Sequence, residues 1–384
     1  MNPVYITQTG ATPVGEHYRL TLAELALQAL RPALGGVDPS RVGALYVGNA
    51  LGGELAGQAQ LGAALAAAAG LPRAEALRVE AAGASGGAAL RQGYAAIASG
   101  MHDLVLVLGV EKVTDKLEGA LEAGLALGAD GDFEAAQGVT LTSQWALLMR
   151  RYMHQYGYAA DAFAPFPINA HANAAANKGA LYRFPINADK YRKAPQIASP
   201  LNMLDCATAS DGAACVLLAS EALARELGGA PVRIAGSALA TDALALHARR
   251  DPLALAAARQ SAQAALAQAG RNRADVQVLE LTDPHGIAAA LALEAMGFAE
   301  PGAAPRHAAD GGIAPAGSTP LATAGGDKAR GDTVGAGGVY QVVELVRQLR
   351  GEAGAAQVAG ARVALAQCLG GVGATAVTHI LSTE

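Results

Sequence analysis

Two spacings of apolar residues alternate along the first third of the chain, and each predicts a different element. Short runs at Val4-Tyr-Ile, Ala44-Leu-Tyr-Val, Leu77-Arg-Val and 103–110 read as strands, while the stretches 22–30, 58–69 and 86–99 carry helical spacing. Such alternation predicts parallel strands covered by helices. The run from Leu104 to Val110 has no polar position, which suits a strand buried on both faces. Pro32 and Gly100 stand where helices are expected to stop.

The pattern loosens between about 116 and 200. This stretch holds Trp145, Phe163, Phe166 and Phe184, half of the tyrosines, and prolines at 165, 167, 185, 195 and 200. It is predicted to be an inserted, mainly helical subdomain able to cover a pocket. Alternation then resumes, with a strand at 278–281, helices at 287–296 and 338–350, and paired strands at 362–367 and 374–381. Val339, Val342, Val343, Val346 and Leu349 share one face of the second of these helices. The turn Gly83-Ala-Ser-Gly-Gly before one helix is echoed by Gly335-Ala-Gly-Gly before another. These features predict a duplicated α/β unit with a site between its halves, 1–235 (with the insertion at about 116–200) and 236–384.

With 384 residues, 52% hydrophobic and 16% charged, the chain can bury a large core. A net charge of −5 without a long basic run argues against nucleic acid or a membrane surface as partner. Cys206, Cys215 and Cys368 lack metal-ligand spacing and are too few for a disulfide framework, so a reducing, cytoplasmic setting and no metal are expected. The start, Met1-Asn-Pro-Val-Tyr-Ile, lacks a secretory pattern, and no apolar run reaches the length of a membrane span.

Candidate chemistry concentrates in Leu77-Arg-Val-Glu-Ala-Ala-Gly83-Ala-Ser85-Gly86-Gly87. A strand-to-helix turn directs backbone N–H groups and the positive helix end at its surroundings, which favours a thiolate or an oxyanion. The stretch resembles the nucleophile loop of the thiolase superfamily, Glu-Ala-Ala-Cys-Ala-Ser-Gly-Gly, with Gly83 in the cysteine's place. Further blocks agree in order: Ala44-Leu-Tyr-Val-Gly-Asn-Ala-Leu-Gly-Gly, Leu106-Val-Leu-Gly-Val-Glu-Lys, Arg151-Tyr-Met-His-Gln-Tyr-Gly and Leu204-Asp-Cys-Ala-Thr-Ala-Ser-Asp-Gly. They are similar to the sterol-carrier-protein-like branch. The resemblance implies a five-layered αβαβα fold, dimerisation, and a coenzyme A thioester as ligand.

Carried over residue by residue, the resemblance places Thr282 where the family has an oxyanion-hole histidine and His285 where it has phenylalanine. Asp332, in Gly331-Asp-Thr, stands for the histidine of Gly-His-Pro, and Cys368, in Cys-Leu-Gly-Gly, matches the family's second cysteine. Glycine supplies no nucleophile, and an aspartate beside a developing oxyanion repels it. Threonine retains one donor; losing such a donor typically costs roughly two to three orders of magnitude in rate. Ordinary thiolysis or condensation is therefore not expected of the chain alone. Gly83, Ser85, Thr282, His285, Asp332 and Cys368 are the expected pocket residues, and the site of an acyl-CoA should be locally basic.

Other constellations compete. Gly83-Ala-Ser85-Gly-Gly also fits a hydrolase nucleophile elbow, with Ser85 served by His285 or His379. Cys368 could act as a displaced nucleophile near Asp332 or His285. Tyr340 is the tyrosine nearest a family motif, relevant to retro-aldol chemistry, though core packing is expected of it. Lys328 suggests a Schiff base, but exposure is the expectation there. The function so implied is a thiolase-like, non-condensing subunit, either a homodimer or paired with an active thiolase or an acyl-CoA-binding accessory chain. The alternative is altered acyl-CoA chemistry: retro-aldol cleavage, decarboxylation, hydrolysis or acyl transfer through Cys368.

Overall fold

The computed structural model describes residues 2–383; Met1 and Glu384, the outer ends of the two expected halves, lie outside the described residues. The first half runs β1 (Val4–Ala11), α1 (Leu22–Leu34), β2 (Ala44–Gly48), α2 (Leu61–Ala68), β3 (Glu75–Val79), α3 (Ser85–Ala98) and β4 (Leu104–Glu111). An insertion follows, with helices α4 (Glu118–Ala126), α5 (Leu141–Tyr156), α6 (Pro165–Ala174) and α7 (Ala188–Lys193) and the short pair β5 (Gln196–Ala198) and β6 (Leu201–Asn202). Then come β7 (Gly212–Ser220), α8 (Glu221–Leu227), β8 (Val232–Thr241), α9 (Ala256–Ala269), β9 (Val278–Leu281), α10 (Gly286–Met296) and α11 (Ala304–Ala309). The chain closes with α12 (Gly337–Arg350), β10 (Val363–Gly370) and β11 (Thr375–Ser382).

The strands lie in the order β3-β2-β4-β7-β1 and continue as β8-β11-β10-β9. Only two residue pairs, Tyr5 with Arg233 and Ile6 with Val232, join β1 to β8. Each half repeats one topology: its first strand beside its last, then the fourth and second, with Leu321 bridging to Leu279 in the third place of the second half. The expectation of parallel strands holds only for β2 with β3 and β4, and for β9 with β10. The long strands β1, β4, β7, β8 and β11 pair antiparallel, because β7 and β11 each return to the sheet beside the strand that opened their half.

Strand alternation sorts side chains into layers. Val105 and Val107 of β4 and Val216 and Leu218 of β7 face a central core built on α3 and α12, together with Ala364 and Ala366 of β10. Their neighbours Leu104, Leu106, Cys215 and Leu217 face an outer core under α1. Leu365 and Leu279 face the opposite outer core, under α9 and α10, to which the insertion contributes Trp145, Tyr152, Phe163 and Phe166. The layers are therefore αβαβα.

Two local expectations are corrected. The helix expected to stop at Pro32 runs through it to Leu34, opened by the Thr21–Glu24 capping box and closed at Gly35. Pro32 sits in the last turn, where its missing N–H leaves the Gln28 carbonyl without its i→i−4 donor and the helix ends two residues later. The helix expected over 58–69 begins only at Leu61, after Gln60 enters the left-handed region.

Candidate functional site

The chain leaves β3 through Ala82, at φ 49°, into one 3-10 turn, Ala82–Ala84, and then into α3. The second half repeats this: Val334, at φ 45°, opens the turn Val334–Ala336 ahead of α12. Gly83 and Gly335 thus occupy equivalent places. A β-carbon at Gly83 would lie 2.7 Å from the Leu369 carbonyl oxygen, and one at Gly335 would meet the Ala50 backbone nitrogen. Both turns are packed for a residue without a side chain.

Glu111, at the end of β4, ties the two turns together. Its carboxylate accepts from Asn49 Nδ2 (2.7 Å) and from the N–H groups of Ala50 (2.7 Å), Leu51 (3.1 Å) and Gly335 (3.2 Å). Burial pushes its pKa up to about 7, against the pull of these donors.

Cys368 is buried between the two central helices, where a β-carbon at Gly338 would lie 2.5 Å and one at Gly87 2.7 Å from its sulfur. Its thiol donates to Gln341 Oε1 at 3.2 Å, and burial raises its pKa to about 12. Gln341 Nε2 in turn donates to Thr282 Oγ1 (3.5 Å), which also accepts from Leu369 N–H (3.1 Å). Thr282, Gln341 and Cys368 therefore form one network ending beside the carbonyl that faces Gly83. A thiol so buried and protonated is a poor nucleophile.

Asp332 is half-buried and caps the Val334 turn, accepting from Val334 N–H at 2.8 Å, with its pKa raised by burial. His285 stands apart from this network. It precedes α10, near Trp145 and hydrogen-bonded to the Asp205 backbone; burial lowers its pKa to about 3, and its Nδ1 has no partner. Ser85 donates to Ala82 O (2.6 Å) and accepts from Ala81 N–H (2.9 Å), so its hydroxyl closes the turn. The bases expected for an elbow are elsewhere: His379 contacts Gly87 O at 3.0 Å behind α3. Tyr340 packs as expected, buried, donating to Thr12 O at 3.0 Å with the Arg330 guanidinium over its ring.

Sequence reasoning missed a buried charged cluster behind the Thr282 and Asp332 loops. Arg330 donates to Glu344 (2.9 Å) and Asp327 (2.5 Å), and the carboxylates of Asp327 and Asp283 each accept from the other's backbone N–H. Burial and mutual repulsion raise the pKa of Asp283, and burial first of all raises those of Glu280, Asp327 and Glu344. The expectation that Lys328 is exposed is overturned: it is 5% exposed, beside this cluster. The signal available in the sequence is a Gly-Gly pair followed by alternating charges.

A cavity of about 240 Å³ opens at Gly83, lined by Ala82, Leu51, Leu125, Leu141 and Val334 and by three charged residues, Arg78, Glu54 and Glu80. One cation against two carboxylates is not the basic surround expected for an acyl-CoA. Among the described residues no group of three His, Cys, Asp or Glu side chains could hold a metal ion, and no helix is long and apolar enough to cross a membrane.

Comparison with known proteins covers both halves. The family model described as "Thiolase, N-terminal domain" matches residues 4–222, and "Thiolase C-terminal domain-like" matches residues 236–383. An acetyl-CoA acetyltransferase of Methanothermobacter thermautotrophicus is 38% identical over 386 residues, covering 100% of both chains. The structure of the Ltp2-ChsH2(DUF35) aldolase superposes with a TM-score of 0.86 at 25% identity, over 99% of this chain and 97% of that one. Human mitochondrial 3-ketoacyl-CoA thiolase in complex with CoA shares the fold, with a TM-score of 0.77 at 18% identity, over 100% and 98% of the two chains.

Proposed function

Because the chain belongs to the thiolase superfamily, we propose that it is an acyl-CoA-handling subunit of that fold that does not carry out cysteine-dependent condensation and works with an accessory chain. One observation carries this reading: the Leu369 carbonyl stands 2.7 Å from where a β-carbon at position 83 would be, in the place the family gives its nucleophile. Asp332 and Thr282 replace the two histidines, and Cys368 is buried and hydrogen-bonded. Three features of the reaction centre thus agree.

The charge around the Gly83 cavity supports an accessory chain. Arg78 is outnumbered by Glu54 and Glu80, so the phosphates of coenzyme A would need cations supplied from elsewhere. The likeness to an aldolase that combines Ltp2 with ChsH2(DUF35) makes a partner of that second type the favoured supplier. Self-association is supported by β3, which ends its sheet and exposes half of Leu77. The same likeness favours a second reading, cleavage of a carbon–carbon bond in a coenzyme A thioester. Hydrolysis through Ser85 loses support because that hydroxyl is spent on its own turn.

The test is an assay of the purified chain for acetoacetyl-CoA thiolysis, with titration of acetyl-CoA by calorimetry. No thiolysis and weak binding are expected of the isolated chain, with binding strengthened by an accessory subunit. Brisk thiolysis by the chain alone would overturn the proposal.

A further inference from the structure

Lys328 sits in a segment whose backbone turns charged side chains inward. Gly325 (φ 113°) and Gly326 (φ 56°) lead into a π-helical turn, Gly326–Arg330, in which Asp327, Lys328 and Arg330 are all buried. Asp327 and Arg330 pair with each other, but Lys328 forms no ion pair with any described residue. Its Nζ donates to the Cys206 carbonyl at 2.7 Å and lies 5.7 Å from the centre of the Tyr182 ring. A buried lysine without a carboxylate partner favours its neutral form, and its pKa is lowered to about 8 by burial.

Two imidazoles with unpartnered nitrogens stand near the lysine. His171, on α6, stacks on Tyr182 with ring centres 5.8 Å apart, and His285 precedes α10. Both imidazoles feel the charge of Lys328, and each keeps one buried nitrogen, Nε2 of His171 and Nδ1 of His285, without a partner. Asp205 and Cys206 face the lysine from the segment before β7, and Asp283 from the turn before α10. The segment Cys206–Thr208, half-buried at Cys206 and Ala207 and exposed at Thr208, adjoins the candidate site: Asp332 N–H donates to Thr208 O at 3.0 Å, and Tyr182 meets Thr208 Oγ1 at 2.8 Å.

We propose that Lys328 is a carbonyl-capturing lysine, whose Nζ adds to the carbonyl carbon of an aldehyde or ketone substrate and forms an imine. The nitrogen lone pair makes the new N–C bond, and the carbonyl oxygen leaves as water with the two protons of the amine, relayed by the open nitrogens of His171 and His285. No oxidant or reductant is required. In a β-hydroxy ketone the protonated imine would accept the electrons of the breaking Cα–Cβ bond and become an enamine; the hydroxyl proton passes to a base, an aldehyde departs, the same proton returns to the enamine carbon, and water then releases the shortened ketone and the free amine. This last step deepens the carbon–carbon cleavage reading, whereas imine formation is independent of it and of coenzyme A.

The test is reductive trapping. The native chain is treated with propionaldehyde and cyanoborohydride at pH 8, and occupancy of each lysine is read by peptide mass spectrometry. Lys328 is expected to be alkylated at least tenfold more than the exposed Lys178, Lys190 and Lys193. The ratio should fall towards one in the urea-unfolded chain, a control that needs no variant to fold. Lys328→Met should abolish the preferred site and leave the others unchanged. Labelling of Lys328 no faster than of the three exposed lysines would overturn the proposal. If trapping succeeds while thiolysis also proves brisk, the lysine assignment stands and the non-condensing reading fails.

Discussion

A side chain at position 83 meets an obstacle before it can do chemistry. Its β-carbon would press on the Leu369 carbonyl, a backbone atom held by the β10–β11 ladder, so relief requires the strand end to move. Gly83→Cys is expected to lower stability by about 1–3 kcal/mol and to restore no thiolysis, since no histidine stands ready to activate the thiol. Urea unfolding and a CoA-release assay check both halves of this. His285 makes a different prediction. Its pKa falls from 6.5 to about 3 on burial, so between those values the unfolded chain binds a proton that the folded chain refuses. Stability from this group is present above about pH 6.5 and is lost as pH falls through the window, by about 2 kcal/mol between pH 7 and pH 5. In His285→Phe the difference in unfolding free energy between those pH values should shrink by that amount; an unchanged difference would mean that the imidazole titrates normally.

Among the elements, α3 and α12 approach each other closely, and glycine permits it. A β-carbon at Gly338 would lie 2.5 Å from both Cys368 Sγ and Gly87 N, whereas one at Gly119, in α4, would meet nothing within 4 Å. Gly338→Ala should therefore cost about 3 kcal/mol or more, and Gly119→Ala should be neutral or stabilising by up to about 1 kcal/mol. Denaturant midpoints of the two variants separate packing from helix propensity. Most of these elements were legible, because buried strands such as β4 carry unbroken apolar runs and α12 carries a helical stripe. Strand direction was not, since β7 and β10 are equally apolar whether a neighbour runs with or against them. At the site, the resemblance predicts Gly83, Ser85, Thr282, His285, Asp332 and Cys368 in one pocket, and of these His285 stands apart. It could not show that Gln341 links two of them, nor that a π turn would bury Lys328, because both depend on where a helix face and a loop finally point.

The whole molecule repeats one strand order but shares one core. Val107, Val216 and Leu90 from the first half and Ala364, Ala366, Val342 and Leu381 from the second belong to one apolar cluster around α3 and α12. Neither half can close that layer alone, because each lends its central helix to the sheet of the other. The direct ladder between β1 and β8 spans only two residue pairs, so side-chain burial rather than strand pairing joins the halves. Residues 1–235 expressed alone should consequently lack a rigid core, showing helical far-ultraviolet dichroism but rapid amide exchange throughout α3 and β4. In the full chain, Trp145 is the single tryptophan and lies in the outer core of the second half, whereas far-ultraviolet dichroism reports on all helices. Their urea transitions should coincide, since losing the shared layer unfolds both sheets together. A dichroism change that precedes or follows the tryptophan signal would show instead that the halves are stable apart, and that the central helices can separate without unfolding either sheet.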